Sequence, residues 1–116
     1  MRMLLAVGVG FTLLAAAACS SSSTAPANSC GSSGATANIG ATDAQVFSPN
    51  HATITHGQSV CWQNNGSITH TVTDNGGAFD TNLPSGQIFV HIYPVAGTFA
   101  YRCTIHSGMT GTITVN

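Results

Sequence analysis

Turn-forming residues interrupt the chain from Ile39 to Val115 so often that no helix of useful length fits. Pro49-Asn50, Gly57, Asn64-Asn65-Gly66-Ser67, Asp74-Asn75-Gly76-Gly77, Pro84-Ser85-Gly86 and Pro94 to Gly97 divide it into short runs. The runs between are rich in Val, Ile, Thr and aromatic residues, which suit strands. They predict strands over Asp43–Phe47, Ala52–Thr55, Ser59–Gln63, Thr69–Thr73, Gln87–Tyr93, Thr98–Cys103 and Thr110–Val115. Phe79-Asp80 opens a looser stretch through Leu83 to Gly86. Seven to eight short strands at this spacing predict an all-β sandwich or barrel.

Residues i and i+2 of a strand share a face, so alternation assigns side chains to core or surface. Phe99, Tyr101 and Cys103 share one face, and the aromatic side is the core, so Cys103 points inward. His70 and Val72 share a face opposite Thr69, Thr71 and Thr73, which turns His70 inward as well. Val60 and Trp62 point in and leave Cys61 on the outer face.

The loop after Cys103 then carries the chemistry. Cys103, His106 and Met109 offer a thiolate, an imidazole and a thioether within seven residues. Zinc takes Cys and His but has little use for Met. Two His, one Cys and a weak axial Met are the donor set of a blue-copper site, and His70 supplies the second imidazole. The expected set is therefore His70, Cys103, His106 and Met109, holding one copper ion that alternates between Cu(I) and Cu(II). His106, on the loop, is expected to show a ring edge to solvent and act as the electron port, with Gly108 and Pro84 forming an uncharged rim. His51 and His56, near turns, read as solvated; His91 shares parity with Phe89 and Tyr93 and reads as structural.

Charge narrows the partners. Only 4% of residues are charged, and the two bases, Arg2 and Arg102, face three acids, Asp43, Asp74 and Asp80. No basic patch exists to neutralise phosphate, which excludes nucleic acid. Transient redox proteins, met by a monomer, are the expected partners.

The N-terminus reads as an export signal over residues 1–18: a minimal basic start at Arg2, an apolar run from Leu4 to Leu14, then small residues. Those small residues end at Cys19 and resemble a bacterial lipoprotein cleavage site, which implies acylation of Cys19 and a membrane anchor. Ordinary cleavage near Ala18 is the alternative. Residues 19–38, rich in Ser, Ala, Thr and Gly, read as a flexible tether, and 39–116 as the folded domain. The protein is thus expected outside the cytoplasm, periplasmic or otherwise extracytoplasmic. In such an oxidising compartment, with Cys19 acylated and Cys103 on metal, Cys30 and Cys61 are left to form a disulfide or to stay as thiols.

Val46 to Val115 resembles the small blue-copper proteins of the plastocyanin, pseudoazurin and amicyanin group, the cupredoxins. The likeness rests on Phe47-Ser48-Pro49, Gly57 to Trp62, Asn64 to Val72, Phe79-Asp80, Gly97 to Tyr101 and Cys103 to Met109. It implies an eight-stranded Greek-key β-sandwich with a single type 1 copper that shuttles one electron. Thr71 stands where several relatives have Asn. Its side chain is expected not to supply their amide links between the ligand segments, leaving its backbone N–H to reach the Cys103 sulfur. Arg102 stands where plastocyanins present an exposed Tyr. The enzyme readings fall away: there are no His-x-His pairs for a trinuclear cluster and no second loop Cys for a binuclear one. A module that stores or delivers copper is the remaining alternative.

Overall fold

The structure, a computed structural model, describes residues 29–116. The expected export signal, Cys19 and residues 20–28 of the expected tether lie outside the described residues. Nine strands form two mixed sheets. These are β1 (Ala37–Ala41), β2 (Phe47–Ser48), β3 (His51–Ile54), β4 (Ser59–Asn64), β5 (His70–Asp74), β6 (Asp80–Leu83), β7 (Ile88–Ile92), β8 (Gly97–Arg102) and β9 (Thr110–Val115). One sheet has the order β2-β1-β4-β7, the other β3-β9-β8-β5-β6. Two pairings are parallel, β1 with β4 and β3 with β9. Such pairs need connections that cross between the sheets, so the two sheets cannot separate into hairpins. The all-β sandwich is the fold observed.

The expected strand map needs two corrections. Asp43–Phe47 is not the first strand; that stretch is mostly a turn, and β1 lies earlier, at Ala37–Ala41. The stretch read as looser forms β6, which pairs with β5 from His70↔Leu83 to Thr73↔Asp80.

Within the segment expected as tether, residues 29–38 are ordered. Residues 29–38 fold against β4. A 3-10 turn at Cys30–Ser32 places Cys30 beside β4, where it is bonded to Cys61 in a disulfide. The Cys30 N–H donates to Gln63 Oε1 and the Thr36 N–H to the Ser59 carbonyl. Chain composition argued for disorder here, but one covalent link and one parallel strand outweigh it. Cys61 keeps the outer-face parity yet is fully buried, because this segment covers it.

Between the sheets lies an aromatic core. Trp62 has no solvent exposure and packs edge-on to Tyr101 at 5.3 Å; Phe47 meets Tyr101 at 4.8 Å, also edge-on. Such edge contacts suit the charge distribution of aromatic rings. The Tyr101 ring lies across Gly111 on β9, where a Cβ would overlap the ring and hydroxyl. Glycine is therefore required by close approach at that position. This core supports the ends of β5 and β8, from which His70 and Cys103 emerge.

Candidate metal centre

Three pieces of chain meet at one end of the sandwich. The first is the loop from Asn64 to Ile68, which delivers His70. Asn64 is buried and braces the loop from within: its Nδ2 donates to the Ile68 and Leu83 carbonyls at 2.7 and 2.9 Å, and its Oδ1 accepts from the Gly66 N–H. Asp43 braces it from outside, accepting from the Ser67 N–H, the Ile68 N–H and the Ser67 hydroxyl. Those backbone donors at Ser67 and Ile68 hold the Asp43 carboxyl below its usual range. Neither brace was legible beforehand. Asn and Asp around a turn are common, and which loop they hold depends on distant partners.

The second piece is β5, buried from His70 to Asp74. The third is the loop from Cys103 to Met109. The Cys103 N–H donates to the Met109 carbonyl at 2.9 Å, and the Met109 N–H to the His106 carbonyl at 3.3 Å. The loop thus closes on itself and brings Met109 back beside Cys103. Gly108 has φ +82°, a left-handed backbone that a side chain would strain, so the turn depends on glycine. Met109 is buried and His106 half-exposed.

His70, Cys103 and His106 turn donor atoms toward one another. The two Nδ1 atoms are 3.2 Å apart; the Cys103 Sγ lies 3.6 Å from the Nδ1 of His106 and 4.0 Å from that of His70. All three atoms fall within 4.8 Å of one another, and among the described residues no other group of His, Cys, Asp or Glu gathers in this way. The triangle can be compared with a metal's needs. Donor bonds of about 2.0 Å to nitrogen and 2.3 Å to sulfur, at angles between tetrahedral and trigonal, give edges of about 3.4 and 3.7 Å. The observed edges lie within about 0.3 Å of these values, so the donors fit an ion with no rearrangement of the backbone. The thioether of the neighbouring Met109 makes the set softer than a zinc site. Burial pushes the His70 imidazole below its ordinary pKa, and the nearby His106 adds to the effect. His70 is therefore held neutral, the form that ligates.

Thr71 corrects the expectation drawn from the absence of Asn. Its N–H does donate to the Cys103 sulfur, at 3.3 Å. Its side chain also links the ligand segments: Oγ1 accepts from the Thr104 N–H at 2.8 Å and lies 3.1 Å from the Thr104 hydroxyl. A hydroxyl does here what an amide was expected to do.

The other histidines stand apart. His51 Nε2 meets the Thr114 hydroxyl and His56 Nδ1 the Asn116 carbonyl, both at the surface. His91 packs between Phe79 and Tyr93, at ring separations of 4.6 and 4.7 Å. Arg102 Nη1 donates to Asn75 Oδ1 on the outer face.

No protein-family model matches the chain. Residue by residue, it is 34% identical to a plastocyanin of Scenedesmus fuscus over 91 residues, covering 62% of this chain and 88% of that protein. Among solved structures, a purple cupredoxin from Nitrosopumilus maritimus superposes with a TM-score of 0.63 at 28% identity, covering 69% of this chain and 99% of that one. An amicyanin from Paracoccus versutus gives a TM-score of 0.63 at 24% identity, covering 72% and 83%. That last likeness concerns the fold alone.

Proposed function

Because the chain belongs to the plastocyanin-like cupredoxins, copper-binding electron carriers rather than enzymes, we propose that His70, Cys103, His106 and Met109 hold its copper as a type 1 site. The observation that carries this reading is the triangle of two Nδ1 atoms and one Sγ, closed by a loop that returns Met109 to Cys103.

When bound, the copper supplies one-electron chemistry, and the protein's part is to keep its ligands still. Two imidazoles and a thiolate, with the thioether of Met109 as a weaker donor, would suit both oxidation states of a bound copper, so little would have to move as an electron passes. The braces at Asn64, Asp43 and Thr71 limit that movement further. The N–H of Thr71 on the Cys103 sulfur draws charge from the thiolate and so favours the reduced state.

His106 is the proposed electron port, since it is partly exposed while His70 and Cys103 are buried. Ile105, its neighbour in the chain, is 54% exposed and Gly108 is exposed two residues on, and no residue from Cys103 to Met109 carries a formal charge, so the loop at the port is an uncharged surface. Contact there suits transient redox partners whose binding varies little with salt.

The setting proposed is outside the cytoplasm, with the domain anchored through an acylated Cys19 and acting as a monomer. The sequence of residues 1–19 supports the first two points. A Cys30–Cys61 disulfide agrees with an oxidising compartment. Mass spectrometry of the mature N-terminus tests the anchor: an acyl group on Cys19 supports it and an unmodified end removes it. Light scattering tests the monomer.

Copper storage or delivery is disfavoured by the buried, braced donors, which release an ion slowly. Cyclic voltammetry separates the two readings. Reversible one-electron exchange supports a carrier, and binding of Cu(I) alone supports a store.

A further inference from the structure

Four groups run in a hydrogen-bonded line from the surface of β6 to the ligand loop. Thr73 Oγ1 donates to Asp80 Oδ1 at 2.8 Å; Thr71 and Thr73 hydroxyls are 3.1 Å apart; Thr71 and Thr104 hydroxyls are 3.1 Å apart. Thr71 and Thr73 are 4% and 6% exposed, so water cannot readily replace these contacts.

Proton counting fixes the direction of every bond. A carboxylate only accepts, and a hydroxyl has one proton to give. Thr73 gives its proton to Asp80, so Thr73 must accept from Thr71. Thr71 has then spent its proton, so Thr104 must donate to Thr71. Thr71 Oγ1 fills its second lone pair with the Thr104 N–H at 2.8 Å. Each hydroxyl proton therefore points toward the Asp80 charge. Aligned chains of this kind polarise one another, most of all where the surroundings are dry.

Thr71 is also the residue whose N–H holds the Cys103 sulfur, so it grips the chain on both sides of the Cys103 carbonyl. From this geometry we propose that Asp80 is a positioning residue for the metal centre, acting through Thr73 and Thr71 on the peptide that follows Cys103. The inference rests on the copper reading above. The carboxylate makes Thr71 Oγ1 a stronger acceptor, tightens its hold on Thr104, and carries negative potential toward the thiolate. That potential favours the oxidised state of the centre.

The test is a cycle of Asp80→Asn and Thr73→Val, with Thr73→Ser as the conservative control. Asp80→Asn keeps an acceptor and removes the charge, so the midpoint potential of the copper-loaded protein is expected to rise. Most of that rise is expected to disappear in the Thr73→Val background and to return with Thr73→Ser. A rise of equal size in the Thr73→Val background would show the charge acting through space, and no rise at all would show it idle; either overturns the proposal. In the metal-free protein the Thr104 amide is expected to exchange with solvent faster in Asp80→Asn and in Thr73→Val. An unchanged rate overturns the relay too. Should wild-type protein give no intense visible Cu(II) band, the copper reading fails, and the Thr104 exchange rate alone decides the relay. A variant that does not fold under the Thr73→Val change is replaced by Thr73→Ala, which also removes the hydroxyl; most of the Asp80→Asn shift is expected to disappear there, and a shift of full size overturns the proposal.

Discussion

Replacing Cys30 and Cys61 together by Ser should be among the most damaging double changes outside the ligand set. The disulfide joins residues 31 apart, and a loop of that size loses about 12 cal/mol/K of denatured-state entropy when closed, or about 3.7 kcal/mol at 25 °C. That is a large share of the roughly 5–15 kcal/mol by which a small domain is stable. The replaced side chains add to the loss, because Cys61 is fully buried and Cys30 is 5% exposed, and serine hydroxyls there would need partners. With each kcal/mol worth about 4–8 °C for a domain of this size, the midpoint should fall by roughly 15–30 °C. The assay is thermal and urea denaturation of metal-free protein, so that ion binding does not mask the change. The urea slope should also rise, since the unlinked denatured chain exposes more surface. A fall of less than about 5 °C would refute the reasoning. It would mean that residues 29–36 contribute little to the domain and that β1 holds without their anchor.

Three further outcomes follow from the geometry. Thr71→Val keeps the N–H contact to the Cys103 sulfur but strips the acceptor from Thr104 and the donor from Thr73, at a cost of about 1–3 kcal/mol in urea denaturation. Gly111→Ala forces a Cβ into the Tyr101 ring, and because Tyr101 is wedged by Trp62 and Phe47 it cannot move aside. A loss of about 1–3 kcal/mol is expected, and an unchanged midpoint would deny the close approach. Burial lowers the pKa of His91 from the ordinary histidine value of 6.5 in the folded state, so the unfolded chain takes up a proton at higher pH than the folded one. Its effect on stability is nil above that value, and stability is lost as pH falls through 6.5 toward the folded pKa. In metal-free protein, His91→Phe should flatten that part of the pH–stability curve.

The site was more legible in the sequence than its supports. Two-residue alternation placed His70 and Cys103 inward, because strand parity is imposed by the backbone and needs no knowledge of neighbours. The spacing Cys103, His106, Met109 was legible for the same reason: a tight loop leaves few arrangements. Boundaries set by distant partners were not legible. Residues 29–38 look disordered by composition and become ordered only through Cys61 and β4. Cys61 shows how parity and exposure separate, since it does face outward and is covered there by another segment. Thr71 failed in a different way. Its residue type suggested a lost link, but a hydroxyl with a second hydroxyl and an amide in reach links the segments as well, and that depends on where Thr104 and Thr73 stand. Asp80 was legible only as part of the Phe79-Asp80 pair in the family likeness, and a role exerted through two buried side chains leaves no mark in residue type or spacing.

The central claim is that His70, Cys103, His106 and Met109 form a mononuclear type 1 copper centre. The most direct measurement is the optical and EPR spectrum of the protein titrated with Cu(II), repeated after chemical reduction and reoxidation. Saturation is expected at one ion per chain, with an intense visible thiolate band that bleaches on reduction and returns on reoxidation, and an EPR signal with narrow copper hyperfine splitting. A colourless Cu(II) complex with wide splitting, or binding unaffected by Cys103→Ser, would contradict it.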